Sequence, residues 1–290
     1  MGERPGSILK AKLNERRGLL VPGAANALSA RIIADLGFEA IYVTGAGVTN
    51  MYLGIPDLGF ISLPELANHT SAIRDVVELP LIVDIDTGFG NALNVQHTVR
   101  VMERAGANAI QIEDQAMPKR CGHFAGKDVI SADEAASKVR AAVDARKNED
   151  FLIIARTDAR AGDGFEAAVE CGRKFMAAGA DVLFIEAPES LDEIRRLPQL
   201  LPAPQLINMV IGGKTPIVPL EDLRKMKFAI VLYANAALQG AITGMQAALS
   251  ELKKTGQLDE QSPAVANFRE RQRLVAKPTF DALEKKYAVK

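Results

Sequence analysis

Cysteine is scarce in this sequence and net charge almost absent, and each shortage removes a class of protein. Only two of the 290 residues are cysteine, Cys121 and Cys171. That is too few for the disulfide framework of a small secreted domain, so free thiols in a reducing cytoplasm are the simpler reading. Basic and acidic residues number 35 and 36, a net charge of −1 with no basic stripe or tail, which argues against a nucleic-acid partner. No apolar run approaches the roughly 20 residues that span a bilayer. Met1 to Leu13 lacks the apolar centre and cleavage pattern of a secretory signal. The expectation is a cytoplasmic protein without a membrane partner.

What is present is a repeat. Three segments each end a helical stretch on glycine and run into an apolar strand: Leu36 to Val43, Ala105 to Ile112 and Ala178 to Ile185. Glycine suits that place because the residue just past a helix end often turns left-handed. Such an α–Gly–β unit implies parallel strands joined by helical crossovers. Further short apolar runs at Leu19–Pro22, Leu81–Asp86, Phe151–Thr157, Gln205–Met209 and Phe228–Tyr233 read as strands covered on both faces. Amphipathic stretches at Asn94–Arg104, Ala132–Arg146 and Gly164–Met176 lie between them. About eight strands and eight helices alternate, which predicts an α/β fold, the (β/α)8 TIM barrel. An open doubly wound sheet would alternate too, but no Gly-rich dinucleotide fingerprint follows the first strand. Residues 1–290 read as a single barrel domain with a C-terminal helical extension from about 236. That extension holds more helix than one barrel unit needs and is expected to pack on a neighbouring subunit.

In such barrels, polar residues at strand C-termini face the active-site mouth. Here six successive strands end in one: Thr44 after Tyr42, Asp84 and Asp86, Glu113, Arg156, Glu186, and Asn208. Asp84 and Asp86 are two apart and would point the same way in an extended strand. With Glu113 they would form a carboxylate cluster that repels itself unless a cation intervenes. Hard oxygen ligands of low count suit Mg²⁺, with Mn²⁺ as the alternative. The plainer reading is that these acids cap helices or pair with Arg156. The turns Thr44-Gly45-Ala46-Gly47 and Thr87-Gly88-Phe89-Gly90 could present N–H groups to an anion. Arg156 could grip a carboxylate bidentately, or simply pair with Glu186 or Asp158.

Cys121 lies in Lys119-Arg120-Cys121-Gly122-His123. Neighbouring positive charge lowers a thiol pKa and poises it for proton transfer, or merely makes it accessible and redox-sensitive. Cys171, His69 and His97 sit on helical stretches and read as packing or surface residues.

That Lys-Arg-Cys-Gly-His run, with Asp84-x-Asp86 and Glu113-Asp114 before it, resembles the signature of the isocitrate lyase/phosphoenolpyruvate mutase superfamily, in its carbon–carbon lyase branch. The likeness runs from Pro22-Gly23 to Asn208 and Gly212-Gly213-Lys214-Thr215-Pro216. It implies a barrel that swaps a C-terminal helix between subunits and assembles as a homotetramer. It implies Mg²⁺ held directly by Asp86 and through water by Asp84 and Glu113. Tyr42, Thr44, Gly45, Ala46, Gly122, Arg156, Glu186 and Asn208 would contact a small 2-hydroxy or 2-oxo di-acid. Asp57 would lie near the reacting centre, and Cys121, beside His123, would be the acid/base.

Two positions depart from the methylisocitrate-cleaving pattern: Ile211 replaces an acid and Gln239 an arginine. Losing a cation disfavours a tricarboxylate, because one carboxylate would be desolvated unpaired. The implied reaction is therefore cleavage of a 2-hydroxy dicarboxylate such as 2,3-dimethylmalate through an enolate-like intermediate. Methylisocitrate cleavage, oxaloacetate hydrolysis and carboxyphosphonoenolpyruvate phosphonomutase chemistry are the alternatives on the same site. A 2-oxo acid binding protein is the non-enzymatic one.

Overall fold

The computed structural model describes residues 4–119 and 128–289. Eight parallel strands close into a barrel in sequence order. They are β1 (Leu19–Ala24), β2 (Ile41–Val43), β3 (Leu81–Asp84), β4 (Ala109–Glu113), β5 (Leu152–Thr157), β6 (Val182–Ile185), β7 (Gln205–Asn208) and β8 (Ile230–Tyr233). β8 pairs back to β1 through Leu19 opposite Ile230 and Pro22 opposite Tyr233. The barrel predicted from the α–Gly–β repeat is the fold. Gly37, Gly106 and Gly179, the three glycines of that repeat, have φ of +80°, +94° and +92°. Each turns the chain from helix to strand in the left-handed region that only glycine enters cheaply.

Strand alternation divides the core in two. One set of side chains faces the helices, including Ile41, Leu81, Val83, Ile110, Ile153, Leu183 and Ile207. The other fills the barrel, with Val21, Ile82, Ala109, Ile154, Val182, Leu206 and Ile230. The helix Pro5–Glu15 closes the bottom by sending Leu9 and Leu13 into that interior. Continuing the inward set toward the strand C-termini gives Tyr42, Asp84, Gln111 and Glu113, Arg156, Phe184 and Glu186, Asn208 and Ala234. The interior thus turns from apolar to charged in a single layer at the mouth.

β1 and β8 meet closely there. A Cβ on Gly23 would stand 1.9 Å from the Ala234 carbonyl oxygen, so only glycine lets the end of β8 tuck in. The extension begins as a helix at Ala236–Thr255, of which only Leu238 is buried. Helices Phe268–Leu274 and Lys277–Tyr287 follow. The former returns to the barrel, where Arg273 pairs with Asp35 at 2.6 Å. No helix among the described residues is long and apolar enough to cross a membrane.

Candidate active site at the barrel mouth

One small cavity, about 40 Å³, opens at the C-terminal end of the strands. Tyr42, Thr44, Ala46, Asp57, Asp84, Glu113, Arg156, Glu186 and Asn208, all expected from the sequence, line it. Lys119, Phe184, Val210, Leu232, Ala234 and Asn235 complete the wall. Cys121, Gly122 and His123, the proposed acid/base and its neighbours, lie outside the described residues.

Asp84 is fixed from three sides. Its Oδ1 accepts from Gln111 Nε2 and from the Asp86 backbone N–H, both at 3.2 Å, and its Oδ2 accepts from the Gly45 N–H at 3.4 Å. Gln111 in turn accepts from the Tyr42 hydroxyl, so Tyr42 steadies Asp84 through one intermediary. Burial and the Asp84 charge push the Tyr42 phenol well above its ordinary pKa, which makes it a hydrogen-bond donor and no base. The Gly45 N–H, expected to face substrate, is directed at Asp84.

Asp86 corrects the sequence reading. β3 stops at Asp84, and Asp86 has φ of +49°, so a left-handed turn and not strand alternation brings the two carboxylates together. Gly45 leaves room for both: a Cβ there would lie 3.2 Å from Asp84 Oδ2 and 3.3 Å from Asp86 Oδ1. Burial, with Asp84 and Asp57 adding repulsion, raises the Asp86 pKa to about 7 against the opposing pull of Lys119. The second glycine turn plays another part. Thr87 to Gly90 is absent from the cavity wall, and Gly88 packs where a Cβ would strike Val95 at 2.5 Å.

Arg156 is held by three acids. Its Nε and Nη2 form a fork with Asp158 at 2.9 and 3.0 Å. Nη1 lies 3.1 Å from Glu113 Oε2, and Nη2 lies 3.8 Å from Glu186 Oε1. Its guanidinium also covers the Phe184 ring, 5.3 Å from the centroid. Arg156 is thus paired within the protein, its bidentate edge with Asp158 and its Nη1 with Glu113, while it also lines the cavity.

Lys119, which the sequence offered only as positive charge beside a thiol, stands inside the site. Its ammonium lies 2.6 Å from Asp57 Oδ1 and 2.7 Å from Asp86 Oδ1. With Lys119 and Arg156 so engaged, no group of three or more His, Cys, Asp or Glu among the described residues is placed to hold a metal ion as it stands. The donor chemistry nevertheless fits one. Asp86 Oδ1 and Glu113 Oε1 are buried and accept no well-directed hydrogen bond, and carboxylate oxygens are what Mg²⁺ and Mn²⁺ prefer. Burial, with the nearby acids, also raises the pKa of Asp84 and Glu113.

Asn235 was missed because the strand-end reading stopped at β7. It follows β8, makes no cap bond to its own helix, and leaves its buried Oδ1 without a partner. Gln111 was legible in principle, as an amide inside the apolar run that leads to Glu113. The residues read as inert are so placed: Cys171 is buried, His97 is exposed, and His69 stacks edge-on against Tyr52 at 5.0 Å. Ile211 and Gln239 are exposed and outside the cavity wall.

The profile of the phosphoenolpyruvate phosphomutase family matches residues 9–253. A 2,3-dimethylmalate lyase of Eubacterium barkeri is 39% identical over 280 residues, 97% of each chain. A 2-methylisocitrate lyase of Aeropyrum pernix is 46% identical over 254 residues, 88% of this chain and 82% of its own. Among solved structures, a 2,3-dimethylmalate lyase superposes with a TM-score of 0.91 at 34% identity, covering 99% of this chain and 96% of that one. A phosphonopyruvate hydrolase solved with oxalate and Mg²⁺ gives 0.87 at 30% identity, covering 98% and 99%. A family profile over most of the chain and relatives matched end to end join this barrel mouth to a known set of enzymes: the chain belongs to the phosphoenolpyruvate mutase/isocitrate lyase superfamily.

Proposed function

We propose that the chain is a Mg²⁺-dependent carbon–carbon lyase that cleaves a 2-hydroxy dicarboxylate of the 2,3-dimethylmalate type into a 2-oxo acid and a carboxylate. The observation that carries this reading is the composition of the cavity wall. Its described cations are Arg156 and Lys119 alone, each already facing two or more acids. A substrate with two carboxylates can be accommodated by a metal and by the Nη1 side of Arg156, which Glu113 occupies at 3.1 Å and would leave on holding the metal. A third carboxylate would be desolvated without a described cation to meet it. The apolar wall of Phe184, Val210, Leu232 and Ala234 suits a substrate carrying short alkyl branches.

Asp84, Asp86 and Glu113 would hold the ion, with Mn²⁺ as a substitute, and when bound it supplies a Lewis acid for the hydroxyl and adjacent carboxylate. Arg156, kept cationic by the acids around it, would turn its Nη1 side, in place of Glu113, to the carboxylate on which negative charge develops. Asp158 keeps that side aimed. The neutral Tyr42, fixed by Gln111, can donate and not accept a proton. A carboxylate of the wall would take the hydroxyl proton; the oxygen becomes the 2-oxo group as the C2–C3 bond breaks, its electron pair passing to C3 and the carboxylate beside it. Cys121, flanked in sequence by Lys119-Arg120 and His123, would then give its own thiol proton to C3. The remaining readings follow the family resemblance: one barrel domain with an extension, a cytoplasmic enzyme, and a homotetramer that exchanges C-terminal helices.

Quenched-reaction mass spectrometry on a panel of alkylmalates, 2-methylisocitrate, oxaloacetate and phosphonopyruvate tests the substrate class. The expected result is Mg²⁺-dependent release of a 2-oxo acid from alkylmalates, abolished by chelator and by Asp86→Ala. Preferred turnover of 2-methylisocitrate would move the chain to the tricarboxylate branch. Activity unchanged in excess chelator would end the metal reading.

A further inference from the structure

The reaction above gives Lys119 no part, yet it is among the most deeply buried charges of the chain, 3% exposed. A buried ammonium persists only where acids surround it. Its two short contacts, to Asp57 and Asp86, come from different parts of the chain and meet at one nitrogen. Asp86 is also the carboxylate to which the reading above gives direct contact with the metal. Two cations thus claim one side chain. A divalent ion within a few ångströms of a fixed ammonium is repelled by it, and within the barrel that repulsion is poorly screened.

We propose that Lys119 is an internal counter-ion in competition with the metal: it neutralises Asp86 and Asp57 when no ion is bound, and must give up Asp86 for a divalent cation to enter. The inference rests on the metal reading of the site. Asp57, which holds the same nitrogen at 2.6 Å, gives the displaced ammonium a place to remain. The arrangement keeps the carboxylate nest folded in the absence of metal and raises the metal concentration at which the site loads.

Isothermal calorimetry with MgCl₂ alone, on the full-length chain stripped of metal and without substrate, reads this directly. Lys119→Met and Lys119→Gln should bind Mg²⁺ at least tenfold more tightly than the unaltered protein, while Lys119→Arg, which keeps the charge, stays within about threefold. Equal or weaker binding by the neutral variants, with circular dichroism showing them folded, overturns the competition. If both neutral variants fail to fold even in saturating Mg²⁺, the proposal is also overturned, because a competitor of the metal must be replaceable by it. Failure of the metal reading itself looks different: no heat of binding in the unaltered protein or in any variant.

Discussion

Arg156 is gripped from three directions, and the bond that orients it is the fork with Asp158, a residue 1% exposed. Asp158 is itself anchored, since its backbone N–H donates to Asp114 Oδ1 at 2.9 Å. Asp158→Asn removes one of the three acids around a buried guanidinium that keeps Glu113 and Glu186, at a cost of about 1–3 kcal/mol. Urea denaturation should report that loss. In the folded variant kcat for the alkylmalate should fall more than KM rises, because the side of Arg156 that meets the developing charge loses its aim. An unchanged kcat would mean that Arg156 does not meet that charge. Strand-end polar residues such as Asp84, Glu113, Arg156, Glu186 and Asn208 were legible in the sequence because alternation and barrel geometry fix where they point. Lys119 was not, since its partner Asp57 lies 62 positions earlier and no local pattern links them. Nor could spacing reveal the left-handed turn at Asp86, which imitates an extended strand in bringing two acids together.

The crossover after β3 shows how an element carries the site. The helix Ala92–Arg104 follows the Asp86 turn and is started by Asn91, whose side chain accepts from the N–H groups of Leu93 at 2.9 Å and Asn94 at 3.3 Å. Asn94 returns the bond by accepting from the Asn91 N–H at 3.0 Å. This reciprocal cap fixes where the helix begins and so how tightly the Thr87–Gly90 turn is drawn. Asn91→Ala should cost about 1 kcal/mol in urea denaturation and leave Mg²⁺-dependent turnover within a factor of a few, since no atom of the cap lines the cavity. A loss beyond tenfold would show that the turn transmits the cap to Asp86. The sequence predicted this helix over 94–104, two residues short of its start, because apolar period marks the buried face and says little about a polar first turn. The helix Pro5–Glu15 went unread for a related reason: Leu9 and Leu13 are its only large side chains in the core, too few to make a period.

On the scale of the whole molecule, the barrel buries its own core and leaves the extension largely uncovered. Ile242, Met245, Leu249 and Leu252 are all exposed, at spacings of three and four along the helix Ala236–Thr255, and therefore form one apolar stripe. Phe268, Phe280, Leu283 and Tyr287 on the following helices add to the exposed apolar surface. A monomer in water gains nothing from keeping such a face bare, and continuous apolar patches on soluble proteins mark contact surfaces. A second copy of this chain is the occupant the family resemblance implies, and the stripe lies on the helix that Asn235 begins, so assembly and the site share an element. Met245→Glu with Leu249→Glu places two carboxylates in the stripe. Light scattering after gel filtration should then show a monomer where the unaltered protein is an oligomer, with the helical circular dichroism of the barrel retained. An unaltered protein that is already monomeric at micromolar concentration would refute the contact surface without touching the chemistry assigned to the mouth.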